Sequence, residues 1–278
     1  MTPDASYPEA PFDTPADTLT VDDRRERMLG YIRSKDFVRV QELARAFSVS
    51  DVTIRSDLDM LARHDSVRRV HGGVIATRTS RRETAFEERT DSFAAEKRQV
   101  AEAAVRMLRS GDSAILDAGT TTMAIAQVLA ERDDLRELTI FTPGLNVALA
   151  LERAIPRLHV IVTGGSLRPQ QHSLVEPYNT LILRQVRASI AFIGCNGFDP
   201  QLGIMASSMP DAVLKQALIA AARRIVVVTD ASKFTQSALV SFCRFDEVDT
   251  ILTAGSVDAD ALAIVREAGG RVEVVNGQ

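Results

Sequence analysis

The chain has 278 residues, of which 45% are hydrophobic and 25% charged, with a formal net charge of −4. That describes an ordinary globular protein with room for two domains, and no run approaches the roughly 18 consecutive apolar residues of a membrane span. The charge is unevenly shared: residues 1–20 carry −4, residues 21–82 carry 14 Lys and Arg against 9 Asp and Glu for a net of +5, and residues 83–278 sum to −5. A compact basic head on an acidic body suits local phosphate attraction, and its binding is expected to depend strongly on salt.

The first twenty residues, MTPDASYPEAPFDTPADTLT, have neither a basic start nor the apolar core of a signal peptide and are expected to be a disordered acidic tail. The basic domain is expected over 21–76, with a helix-turn-helix at 38–57. Val40, Leu43, Ala44 and Phe47 recur at i, i+3, i+4 and i+7, one face of a two-turn helix. Ser48 to Ser50 interrupt the pattern, and Ser50 is placed to cap a second helix starting near Asp51. Ile54, Leu58 and Leu61 share that helix's apolar face. Val52, Thr53, Ser56 and Asp59 then face away, with Arg55 on the flank, where side chains near a helix N-terminus reach base edges and phosphates. The following SVRRVHGGVIA has short apolar runs around Arg68, Arg69, His71, Gly72 and Gly73, as a β-hairpin wing would. Paired arginines beside a tight turn can lie along the sugar-phosphate backbone. Helix-turn-helix shapes also occur in proteins that never meet DNA, and an arginine pair often marks only a solvated face.

The runs ELARAFSVSDVTIRSDL and RRVHGGV resemble the DNA-binding domain of the DeoR family of bacterial regulators. The resemblance implies double-stranded operator DNA as a partner, with Ser50, Val52, Thr53, Arg55, Ser56, Arg68, Arg69, His71 and Gly72 as the contacting set. Ser56 stands where the family commonly has a second consecutive arginine, and Asp65 where it often has glycine.

A polar linker is expected at 77–82, and a second domain over 83–278. A long helical reading follows, in which Val100, Ala104 and Leu108 share a face and Gly111 supplies the stop. From Ser113 on, the β-rich runs SAIL, TIF, HVIV, SIAFIG, RIVVVT, TILT and VEVV alternate with amphipathic or turn-rich segments. This is the pattern of an α/β domain with a mostly parallel sheet, whose ligands collect beyond the carboxyl ends of strands.

Asp117 ends one strand, and Gly119, Thr120, Thr121 and Thr122 lead into a helix, an arrangement that offers backbone N–H groups and a helix dipole to an anion. The same loop also fits a simple capped turn without ligand. It lacks the glycine spacing of dinucleotide and nucleoside-triphosphate loops, so a small phosphorylated molecule suits it better. Further polar loops lie at 163–177, 194–205 and 229–234, and a helix opens with Asp211 and Lys215. His172 stands in the first of these loops, where a hydroxyl contact and plain solvation are both open.

These loops also resemble the DeoR effector domain, which implies a Rossmann-like α/β fold related to ribose-5-phosphate isomerase. They further imply a phosphorylated sugar as effector: Asp117, Gly119 to Thr122 and Lys233 would hold its phosphate, and Asp211 and Lys215 would lie beside the sugar. Asp211 replaces a usual Glu, and TPGLN at 142–146 replaces a more usual Thr-Asn-Ser. Cys195 and Cys243 are expected to be free, packed thiols; neither metal nor cofactor is called for.

Taken together, these residues describe a cytoplasmic homo-oligomeric regulator, a dimer or tetramer. It would repress carbohydrate genes and leave its operator on binding a sugar phosphate. The alternative is a sugar-phosphate isomerase-like enzyme with an appended assembly domain, in which Asp and Lys shuttle protons. The region as read has no obvious Glu or His base.

Overall fold

The computed structural model describes residues 21–33, 35, 37–63, 67–70, 73–76 and 86–275. The tail, the linker, His71, Gly72 and Asp65 lie outside them. The chain divides into two compact units between Thr79 and Ser80.

The first unit contains α1 (Val21–Arg33), β1 (Val38–Arg39), α2 (Val40–Ala46), α3 (Asp51–Arg63), β2 (Val67–Val70) and β3 (Gly73–Ala76). The expected helix pair and hairpin are present, and the hairpin gains β1 as a third antiparallel strand in the order β1-β3-β2. Gly73 is needed for that pairing, because a Cβ there would lie 2.4 Å from the Val38 carbonyl oxygen. Its close approach is thus to β1 of its own sheet. Leu43, Phe47, Ile54, Leu58 and Leu61 form the core, as their periodicity requires. Helix α1, absent from the sequence reading, adds Met28 and Ile32 to it.

The second unit opens with α4 (Phe86–Thr90) and α5 (Ala94–Arg106), where the sequence suggests one long helix. Phe93, in the left-handed region at φ 55°, divides them. The helix also stops at Arg106 and not near Gly111, although Leu108 is still buried.

The seven anticipated runs are the strands β4 (Ser113–Leu116), β5 (Leu138–Thr142), β6 (Leu158–Val162), β9 (Ala188–Gly194), β12 (Ala222–Asp230), β14 (Thr250–Ala254) and β15 (Val272–Val275). They form one parallel sheet in the order β15-β14-β12-β9-β4-β5-β6. Alternate residues serve opposite faces. Ala114 and Leu116 pack with α5, α6 (Thr120–Glu131) and α7 (Leu145–Leu151). Ile115 packs in the cluster that includes residues of α8 (Tyr178–Leu183), α9 (Met209–Ala220) and α10 (Ala259–Glu267).

Two small sheets take strands from the segments 163–177 and 194–205, which the sequence suggests are loops. One is the hairpin β7 (Ser166–Arg168) and β8 (Ser173–Val175); the other joins β10 (Gly197–Asp199), β11 (Gly203–Ala206) and β13 (Val240–Cys243). Gly165, at φ +126°, lets the hairpin close, since a Cβ there would sit 2.1 Å from the Val175 carbonyl oxygen. From β4 the chain winds outward through β5 and β6, and then returns to β9 on β4's other side. The sheet therefore reverses its strand order between β4 and β9, and a crevice opens at the carboxyl end of such a point.

Candidate functional site

In the first unit, Ser50 caps α3: its Oγ accepts from Thr53 N at 3.1 Å and lies 2.9 Å from Thr53 Oγ1. Val52, Arg55, Ser56 and Asp59 are exposed, with Val52 at 76%. An apolar side chain left so open at a helix N-terminus suits contact with a partner such as a thymine methyl. Arg68 and Arg69 fall in β2, paired with Ile75 and Val74 of β3. His71 and Gly72 are outside the described residues.

Asp57 was not singled out by the sequence. It is 1% exposed, and its two oxygens accept from Arg24 Nε and Arg25 Nε of α1, each at 2.8 Å. A buried carboxylate needs such partners, and here they tie α1 to the helix that presents Val52, Arg55 and Ser56.

In the second unit, Asp117 follows the last residue of β4 at the reversal point and is fully buried. Its Oδ1 accepts from Ala118 N at 2.7 Å and its Oδ2 from Gly194 N, at the end of β9, at 3.0 Å. The same Oδ2 accepts from Lys215 Nζ, which α9 delivers from the other side. Asp211, one turn before Lys215, places Oδ1 3.6 Å from that ammonium. Burial pushes the Lys215 pKa down, but the carboxylates of Asp117 and Asp211 outweigh it and hold the pKa above the usual lysine value. Lys215 is therefore a fixed cation.

Beyond Asp117 the chain turns through Gly119 into α6. Thr120, Thr121 and Thr122 are buried in its first turn, and Thr122 Oγ1 donates to the Gly119 carbonyl at 3.0 Å. The first intrahelical bond runs from Met123 N to Gly119 O, so the preceding amides are the N-terminal donors that a helix cannot itself satisfy. Asp117, Asp211, Lys215 and this turn thus form one connected site. Lys233 stands apart from the pair, in the turn after β12, where its Nζ donates to Gln236 Oε1 at 3.2 Å.

Several residues of this edge were not anticipated. Arg168, on β7, donates from Nη2 to Ser208 Oγ at 3.2 Å and brings Nη1 to 4.0 Å from Asp211 Oδ1. Asp230, 4% exposed at the end of β12, accepts from Ser232 N at 3.1 Å. Lys97 of α5 is buried and donates to the carbonyls of Arg89 and Ser92; burial pulls its pKa down to about 8. His172 meets Glu87 Oε1 at 2.5 Å, so it is not simply solvated. Cys195 and Cys243 are free thiols, raised by burial to about 11 and about 12. Among the described residues no cluster of three or more His, Cys, Asp or Glu is able to hold a metal ion, and no helix is long and apolar enough to cross a membrane.

Residues 24–80 match the DeoR-like helix-turn-helix domain, and residues 92–254 match the DeoR C-terminal sensor domain. The chain belongs to the DeoR family. It is a DNA-binding transcriptional regulator, and the relatives it matches are named as regulators and not as enzymes. A protein of Escherichia coli O157:H7, named as a transcriptional repressor of the aga operon, is 34% identical over 91% of this chain and 93% of its own length. The glycerol-3-phosphate regulon repressor of Escherichia coli K12 is 29% identical over 83% of this chain and 89% of its own. Among solved structures, ribose-5-phosphate isomerase A of Methanocaldococcus jannaschii is 17% identical, with a TM-score of 0.38 over 51% of this chain and 55% of that one.

Proposed function

We propose that this regulator is a cytoplasmic homo-oligomer that holds double-stranded operator DNA of carbohydrate genes and leaves it when a phosphorylated sugar binds its second unit. The observation that carries the reading is the buried Asp117–Lys215 pair beneath the α6 N-terminus at the sheet's reversal point. The amides of Gly119 to Thr122 suit a phosphate. Asp211 and Lys215 suit the hydroxyls of the carbon skeleton, and Lys233 adds positive charge along the same sheet edge. The names of relatives that repress the aga operon and the glycerol-3-phosphate regulon fit an effector of this class.

On the DNA side, Ser50, Val52, Thr53, Arg55 and Ser56 are assigned to the major groove, and Arg68, Arg69, His71 and Gly72 to the backbone beside it. One small head makes few base contacts, so two heads on paired half-sites are needed for specificity.

The test is fluorescence anisotropy on labelled DNA from upstream of the protein's own gene, against scrambled DNA, at fixed near-physiological salt with a panel of sugar phosphates. The expected result is preference for the upstream fragment and release by one ester but not by its unphosphorylated sugar. Equal binding to both DNAs, indifferent to every ester, would overturn the proposal.

A further inference from the structure

The parallel sheet ends in β15 on one side and in β6 on the other. An open strand edge invites pairing, and proteins usually guard it with charge, proline or a covering element. β15 carries Glu273 within VEVV, whereas β6 reads LHVIV, with no proline and no Lys, Arg, Asp or Glu. Thr163 N bonds to Thr142 O at the end of β5, so the alternation of the ladder turns the N–H and C=O groups of Leu158, Val160 and Val162 away from the sheet. None of these groups has a hydrogen-bond partner among the described residues. The side chains continue the opening. Ile161 and Val162 are exposed, and two residues on, at Gly164, a Cβ would lie 3.8 Å from Tyr178 Cβ at the start of α8. That helix, YNTLIL, is uncharged: it buries Asn179 and Leu183, while Tyr178, Leu181 and Ile182 stand exposed at i, i+3 and i+4, Tyr178 at 63% and Leu181 at 56%. A helix apolar on both sides belongs in an interior, and a joined patch of large apolar side chains marks a protein contact. Opposite charges bound the helix, with Glu176 before it and Arg184 after it; both are exposed, and neither makes an ion pair among the described residues.

We propose that β6 and α8 form the face through which two copies of this chain associate, β6 pairing antiparallel with the β6 of a second copy about a twofold axis at Val160. The proposal rests on the homo-oligomer proposed above and names its surface. The outward groups of an unpaired edge call for another strand, and this edge is complementary to itself. With Val160 opposite its counterpart, Leu158 faces the second copy's Val162, and every outward N–H meets a C=O. No like charges oppose each other across the pairing, because β6 holds no Lys, Arg, Asp or Glu. The same axis runs α8 antiparallel to its copy, so Glu176 and Arg184 each face the opposite sign. Five paired residues span only about 17 Å. The strand therefore fixes the register, and the α8 stripe adds apolar area toward the roughly 1,200–2,000 Å² that a stable contact buries.

The experiment follows the full-length protein by sedimentation velocity over a concentration series, with far-ultraviolet circular dichroism as the folding control. The parent is expected to be a dimer or tetramer. Ile161→Lys gives the edge the charge that guarded edges carry, and should raise the dissociation constant of this contact about tenfold or more, taking a dimer to monomer or a tetramer to dimer. Leu181→Lys, at a well-exposed position on α8, should do the same, and it carries the test if Ile161→Lys does not fold. Ile264→Lys, on α10 and 44% exposed, lies outside the face and should leave the assembly as it is. Arg184→Glu should loosen the contact about threefold or more, and adding Glu176→Arg should return it to within about twofold of the parent. An unchanged assembly in Ile161→Lys and Leu181→Lys, or no recovery on adding Glu176→Arg, overturns this face, leaving the patch to a different protein and the homo-oligomer to another surface. A parent that stays monomeric at every concentration overturns both.

Discussion

Replacing Asp117 by asparagine removes the charge that faces Lys215 and also one of its acceptor oxygens. The native carboxylate accepts from Ala118 N at 2.7 Å, from Gly194 N at 3.0 Å and from the Lys215 ammonium. An amide has one oxygen for these donors and turns its NH2 toward another donor, so at least one buried N–H is left unmade. Breaking a buried ion pair by removing one partner costs about 3–5 kcal/mol. Asp211, 3.6 Å from the ammonium, keeps part of the compensation, which places the expected loss near the lower end, about 3 kcal/mol. With a urea slope of about 1–3 kcal/mol/M, the midpoint of the sensor transition should fall by about 1–3 M. The head's transition serves as the internal control, since Asp117 lies wholly in the other unit. Lys215→Met alone and combined with Asp117→Asn completes a cycle, and the double variant should lose clearly less than the two singles together. A single-variant loss under about 1 kcal/mol, or strict additivity, would refute the argument that this pair is dry and mutually dependent.

Asp57→Ala leaves two partly buried arginines without their shared acceptor. It should destabilise the head by about 2–3 kcal/mol in urea unfolding and weaken operator binding beyond what the Asp57 charge explains. Ser50→Ala should cost about 1 kcal/mol through the lost α3 cap, read as a lower melting temperature of the head, with Ser50→Asp restoring it. Arg55→Ala, at an exposed position, should lower operator affinity and reduce the slope of log K against log salt by about 1 if it contacts a phosphate. For Lys97, the folded value near 8 lies below the ordinary lysine value of about 10.4, so the unfolded chain holds more protons between them and stability rises with pH from about 8. Above about 9 the trend reverses sign for Cys195 and Cys243, raised to about 11 and about 12, whose contribution is lost as pH climbs. The wild-type rise is therefore clearest between pH 8 and 9, on the order of 1 kcal/mol over that one unit, and Lys97→Met should flatten it in chemical unfolding.

The parallel sheet was legible because strands buried on both faces leave near-continuous apolar runs such as RIVVVT and SIAFIG. The helix pair was legible through spacing, and the hairpin through Gly72 and Gly73. Helix α1 was not, since Met28 and Ile32 are thinly spread in VDDRRERMLGYIR, and Arg24 and Arg25 meet Asp57, 33 and 32 residues away. The break between α4 and α5 depends on Lys97 reaching back to two carbonyls, a tertiary contact that periodicity does not report. Asp211 and Lys215 could be read as neighbours because one helical turn separates them. Arg168 could not, because the three-residue strand carrying it sits in a Gly- and Pro-containing stretch that reads as a loop, and its partners come from α9.

The return of β9 to the inner side of β4 also bears on how the protein is made. Asp117 gains its distant partners from residues 194 and 215, and β9 in turn needs β12, so the sensor cannot assemble until most of its chain exists. Such long separations along the chain slow folding. The head, by contrast, is complete by residue 79 and draws its core from residues 28 to 74. During synthesis from the N-terminus a DNA reader is thus folded before the sheet behind it can close. A transcript cut short within the last two hundred codons would release that reader without a finished sensor.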